Sequence, residues 1–198
     1  MATKLFLIRH GITKWNKQKR YCGNRDIDLS SEGRLQALKL RKKLKGVNFD
    51  KIYCSNKKRA IHTAGIIFKG ARIIKAKDLR EISFGIFEGL SYQAIMQKCP
   101  GIYQRWLTDP FSVRIPKAEP MSAFKNRVNR ALRRIAAKNT AKAVAVVCHG
   151  GVIGIFVSSV LKSRNFWRYV PDAASITVAE YKEGKAGIKL FNQTAHLR

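Results

Sequence analysis

At 198 residues and 45% apolar content, the chain is long enough to bury a sizeable core and short enough to be one domain. Forty Lys and Arg face 12 Asp and Glu, a formal charge of +28 that favours anionic partners. No apolar run reaches bilayer length, no secretion signal leads the first strand, and Cys22, Cys54, Cys99 and Cys148 lack CxxC or zinc-finger spacing. The expectation is a cytoplasmic protein with reduced thiols, no metal centre and no membrane partner.

In chain order, "KLFLI" at 4–8 reads as a buried strand that stops on Arg9 and His10. A helix follows at 31–45, capped by Ser30 or Ser31 and ended by Gly46. Its Ala37, Leu40 and Leu44 recur at helical spacing, while Arg34, Lys39, Arg41, Lys42, Lys43 and Lys45 fill most other positions beside the single acid Glu32. "DKIYC" at 50–54 is a second strand, and "SNKKRAIHTA" carries the chain from Ser55 into a helix over 56–68 with Arg59 in its first turn. A third strand, "ARIIK" at 71–75, leads to "LREISFGIFEGLS", a glycine-bearing loop with Glu81 and Glu88.

A short helix at 91–98 begins after Ser91, and the proline-rich "TDPFSVRIPKAEP" marks a loop or lid excursion placed at about 100–120. The helix at 121–138 buries Phe124, Val128, Leu132 and Ile135 and is again strongly basic outside. "AVAVVC" at 143–148 is a fourth strand, followed by His149, Gly150 and a helix from Gly151 to Leu161. "SITVAEY" and "GIKLF" form a terminal hairpin. This alternation predicts a single α/β domain over 1–198: a three-layer sandwich with a mostly parallel central sheet and helices on both faces.

Ligands of open α/β sheets bind beyond the carboxyl ends of the strands, so Arg9, His10, Arg59 and His149 should converge on one pocket near Glu81. Two arginines in such a place suit a phosphoryl group, which guanidinium forks bind without a metal. A neutral imidazole among cations can attack phosphorus and carry it covalently. A carboxylic acid must then protonate the departing oxygen, with Glu81 the candidate and Glu88 the alternative. Asp26 and Asp28 read as turn residues, and His62 and His196 as structural. The basic helices could draw nucleic acid, but only through a nonspecific surface, since no recognition motif accompanies them.

"RHGITKWN", "SNKKRAIHTA", "LREISFGIFEG" and "VVCHGGVI", in that order, resemble the histidine phosphatase superfamily, also called phosphoglycerate mutase-like. The resemblance spans the chain and implies that fold. It implies His10 as the phosphorylated residue, Arg9 and Arg59 as phosphate ligands, Glu81 as proton donor and His149 as second histidine. Asn16, the Gly23 backbone and the Gly150 amide would line the phosphate pocket. Segments such as "YCGNRDIDLSSEG" and "YQRWLTDP" look like the α-ribazole phosphatase branch, implying hydrolysis of α-ribazole 5′-phosphate in cobalamin assembly with no cofactor. The alternatives are a broad-specificity phosphatase acting on another small phosphorylated metabolite, or a phosphoglycerate mutase. In place of the Gly-Gly-Glu-Ser turn expected before the 121–138 helix stands "PKAEPM", which keeps only Glu119.

Overall fold

The computed structural model describes residues 2–198. In chain order come β1 (Thr3–Arg9), α1 (Lys14–Lys17), α2 (Ser31–Lys43), β2 (Lys51–Ser55), α3 (Lys58–Ile67) and β3 (Ile73–Ala76). Then follow α4 (Tyr92–Lys98), α5 (Pro100–Thr108), α6 (Met121–Ala137), β4 (Ala143–Cys148), α7 (Gly150–Val160), β5 (Ile176–Lys182) and β6 (Lys185–Gln193). The strands form one sheet in the order β3-β2-β4-β1-β5-β6. β1, β2, β3 and β4 pair in parallel, and β5 and β6 extend the sheet as an antiparallel hairpin beside β1. This is the α/β architecture expected from the alternating elements.

Strand pleating divides the core. Leu5 and Leu7 of β1 join Val144 and Val146 of β4 beneath α6 and α7, where Phe124, Val128, Leu132, Ile153 and Phe156 fill the larger cluster. Ile8 and Val147 point to the other face and meet Leu40 of α2 with Ala60, Ala64 and Ile67 of α3. Both faces are covered, which is why β1 and β4 read as continuous apolar runs rather than as alternating ones.

The 100–120 stretch departs from the expected loop. Pro100 sits at the start of α5, where its missing N–H costs nothing and its fixed φ suits a helix. Tyr103 and Trp106 of that helix are buried, and Val113 and Ile115 anchor the irregular run that follows. The segment is therefore packed against the core, with an isolated bridge from Phe84 to Ala118. The altered turn beyond it also has a structural role, because Glu119 receives both Nε (2.8 Å) and Nη2 (2.6 Å) of the buried Arg127.

Candidate active site

Parallel pairing of β1 with β4 sets the site's first coordinate. Arg9 is opposite Cys148 in that ladder, so His10 and His149, each the next residue, leave adjacent strands side by side. Their ring centroids lie 5.2 Å apart, and both side chains are buried. β2 lies on the other side of β4 and delivers Ser55, then the start of α3 with Arg59.

Hydrogen bonds decide the tautomers. The Gly11 carbonyl is 2.7 Å from His10 Nδ1 and can only accept, so Nδ1 carries the proton and Nε2 keeps its lone pair. Arg59 Nε donates to His149 Nδ1 at 3.2 Å, which makes Nε2 of that ring the protonated nitrogen, 2.7 Å from Ser55 Oγ. Burial above all, then the Arg59 and Arg9 guanidiniums, hold His10 well below its ordinary 6.5. Burial, Arg59, His10 and Arg9 do the same to His149. Both imidazoles are neutral at neutral pH.

Glu81 faces them from the loop after β3. Its Oε2 accepts the Gly151 amide at 2.8 Å and its Oε1 the Ile82 amide at 3.0 Å. Burial raises its carboxyl above the usual range despite those two donors and the nearby arginines. A Cβ at Gly151 would sit 2.3 Å from Glu81 Oε1, so glycine leaves the carboxyl room to stay in this position. Glu88 serves elsewhere: its carboxylate accepts the amides of Gly23 at 3.1 Å, Asn24 at 2.6 Å and Phe84 at 3.1 Å, bracing two pocket-forming loops without lining the pocket itself.

The remaining sequence candidates divide between the pocket surface and its support. Arg9, Asn16 and Gly150 line the pocket with His10 and Glu81. One Arg9 Nη donates to the Pro171 carbonyl, and its buried Nε has no protein partner among the described residues. Asn16 Oδ1 accepts from the Thr13 amide at 3.0 Å and hydroxyl at 2.9 Å, which orients the amide and leaves Nδ2 without such a partner among the described residues.

Arg59 and Gly23, expected at the phosphate, are tied to each other and to the 22–25 loop. The Arg59 guanidinium reaches the carbonyls of Arg25 (2.9 Å), Gly23 (2.8 Å) and Cys22 (3.2 Å) besides His149, so it organises the 22–25 loop from behind. Gly23 has its amide on Glu88 and its carbonyl on Arg59, and a Cβ there would meet the Ile82 carbonyl oxygen at 1.9 Å. Arg59, Gly23 and His149 do not themselves line the open pocket, and Arg59 contacts both His149 and the 22–25 loop beside it. Asp26 accepts the Lys58 amide at 2.7 Å, and Asp28 accepts the Leu29 amide at 2.6 Å and Arg34 Nη2 at 3.0 Å.

Above the polar floor stands a wall the sequence did not announce. Tyr21, Phe84, Tyr92, Trp106, Phe166 and Trp167 line it, with Arg20 as its charged member. Trp106 Nε1 donates to the Tyr21 hydroxyl at 3.1 Å, and edge contacts link Tyr21 to Phe84 and Trp106 to Trp167. Arg20 is held by Gln18 Oε1 at 3.0 Å and the Gly89 carbonyl at 2.7 Å. These residues come from separate segments at no shared spacing, so only the wealth of aromatics hinted at them.

Residues 5–194 match the histidine phosphatase superfamily (branch 1). The chain belongs to this family. Within the histidine phosphatases it is 32% identical over 198 residues to phosphoserine phosphatase 1 of Hydrogenobacter thermophilus, covering 98% of this chain and 94% of that protein. It is 28% identical to the adenosylcobalamin/alpha-ribazole phosphatase of Salmonella typhimurium over 196 residues, 97% of each chain. Among solved structures, Bacillus stearothermophilus YhfR superposes with a TM-score of 0.94 at 28% identity, covering 99% of this chain and all of that one (100%). This histidine phosphatase is a phosphoric monoester hydrolase, as the family match and the two named phosphatases support.

Proposed function

We propose that the enzyme hydrolyses its ester through a phosphohistidine on His10 and that the substrate is α-ribazole 5′-phosphate. The single observation that carries the chemistry is the Nδ1–H bond from His10 to the Gly11 carbonyl, which leaves a bare Nε2 in a pocket shared with Arg9 and Glu81. Nε2 attacks phosphorus while Arg9, Asn16 and the Gly150 amide hold the equatorial oxygens. Glu81, its carboxyl raised by burial, gives its proton to the departing oxygen. The resulting carboxylate then takes a proton from water, whose oxygen attacks phosphorus and breaks its bond to His10 Nε2, releasing phosphate and restoring the free imidazole. Neutral His149, fixed by Arg59 on Nδ1 and Ser55 on Nε2, packs beside His10 without adding a repulsive charge there.

The aromatic wall supports the substrate reading: a planar bicyclic base attached through ribose can stack where Tyr21, Tyr92, Trp106 and Trp167 stand. A second reading is favoured by Arg20, whose Nε and Nη1 are engaged while Nη2 is available at the pocket for a carboxylate such as that of phosphoserine.

Phosphate release from α-ribazole 5′-phosphate, phosphoserine, 3-phosphoglycerate and an aryl phosphate separates the readings. The first is upheld by a dominant α-ribazole phosphate rate that vanishes in His10→Ala. A phosphoserine preference abolished by Arg20→Ala would replace it, and flat rates would indicate a generalist. Isomerised phosphoglycerate on adding a bisphosphorylated activator would make it a mutase. His10-dependent turnover that persists without any covalent phosphoenzyme after acid-free quenching would remove the proposed intermediate.

A further inference from the structure

Hydrolysis of a small ester leaves the charge of +28 without a use. Much of the acid complement is already engaged: Glu32 on Lys17 at 2.7 Å, Asp78 on Arg134 at 2.9 Å, and Asp28 and Glu119 on the arginines already described. Basic side chains therefore dominate the outer surface, including the outward sides of α2 and α6.

One face adds apolar groups to that charge. On α2, Leu35 and Leu38 are 60% and 49% exposed and lie one helical turn apart. Beside them a cavity of about 490 Å³ opens between the C-terminal ends of α2 and α3. Leu44, Phe49 and Ile67 make its floor, while Arg41, Lys42 and Lys45 stand along it, and no Asp or Glu lines it. Phe49 lies two residues before β2, so this groove lies toward the amino ends of the parallel strands. The catalytic pocket lies at their carboxyl ends and faces away.

We propose that this face docks the enzyme on an anionic lipid bilayer, with Leu35 and Leu38 entering the interface and Arg41, Lys42 and Lys45 meeting headgroup phosphates. Charge complementarity selects the occupant. A second copy would set two cationic rims against each other. Nucleic acid would use the cations but leave the leucines in water. A bilayer uses both, because leucine side chains partition into the interface while long basic side chains reach the headgroups. The net charge of the whole chain adds attraction before contact. The attachment is peripheral, since no helix among the described residues is long and apolar enough to cross a membrane. Such surface contact differs from the sequence expectation of no membrane partner, which rested on the lack of a spanning run.

Sedimentation of the full chain with vesicles tests this. Wild type should pellet with phosphatidylcholine vesicles containing phosphatidylglycerol and stay in solution with phosphatidylcholine alone. Leu35→Ser with Leu38→Ser should weaken binding roughly tenfold, and Arg41→Glu with Lys42→Glu and Lys45→Glu should abolish it. Arg130→Glu with Lys182→Glu and Lys185→Glu removes the same charge from exposed positions elsewhere and should retain most binding. Unchanged aryl phosphatase activity in every variant shows that each is folded.

Equal loss in both charge variants would reduce the effect to net charge and overturn the assignment of this face. Wild-type failure to bind, or binding indifferent to the leucines, would overturn it as well. Poly(U) binding lost with the Arg41, Lys42 and Lys45 changes, in the absence of vesicle binding, would give the face to RNA instead.

Discussion

The two ends of the catalytic pocket are built by different means. At the phosphate end, His10 and His149 come from neighbouring strand ends, and their orientations are held by backbone and buried partners: Gly11, Ser55 and Arg59. At the leaving-group end, aromatic side chains from positions 21, 84, 92, 106, 166 and 167 meet with few directed bonds. The first end has little freedom and therefore suits chemistry; the second can change size and polarity without disturbing a catalytic proton. Reaction and specificity should thus separate under mutation.

The largest break belongs to the first end. His10→Ala should lower kcat by about 10⁴-fold or more on every substrate, with no phosphoenzyme formed after mixing, as expected for loss of a nucleophile. Glu81→Gln should cost about 10²–10⁴-fold on poor leaving groups and less on an activated aryl phosphate, whose departing oxygen needs no proton.

The pH dependence sharpens the same end. The proposed mechanism needs His10 neutral and Glu81 protonated. His10 lies well below 6.5, so kcat/KM rises with pH on an acid limb beneath that value, and Glu81 lies above 4.5, so it falls on the alkaline side. Glu81→Gln should erase the alkaline limb in a rate-against-pH series; a limb that survives would assign it to another group. Stability carries a related sign. His10 and His149 are neutral when folded but take up protons near 6.5 when unfolded, so their burial favours unfolding as pH drops below that value, and urea midpoints should decline there.

Gly151→Ala should act through position alone. Its Cβ would lie 2.3 Å from Glu81 Oε1, so the carboxyl must shift, lowering kcat roughly tenfold to a hundredfold. KM should change little. At the other end Tyr92, 47% exposed on the wall, offers the smallest change: Tyr92→Ala should raise KM for α-ribazole phosphate severalfold, consistent with about 1 kcal/mol for an aromatic contact, and leave kcat in place. A kcat loss as large as that of Gly151→Ala would erase the distinction between the two ends.

The difference also accounts for what could be read in advance. Arg9, His10 and His149 were legible because Arg9 ends, and each histidine directly follows, a strand whose apolar run declares itself, and two glycines after His149 mark close packing. Glu81 and Glu88 were indistinguishable by residue type and loop context. Their separation required the folded loops, which put one carboxylate on Gly151 and the other on Gly23, Asn24 and Phe84. Arg59 was legible as a site arginine, but its engagement with three loop carbonyls was not. The helix at Pro100–Thr108 was hidden by reading its surroundings as a proline-rich excursion.

By itself, then, the sequence determined the alternation of strands and helices, the family, and the cationic, histidine-bearing strand ends, because these depend on local periodicity and on short segments. Only the tertiary structure decided the imidazole tautomers, the division of labour between Glu81 and Glu88, the aromatic wall, and the exposed leucines beside a basic groove. Each of those depends on which distant groups come within hydrogen-bond or packing distance, and on which are left uncovered, once the sheet has set its register.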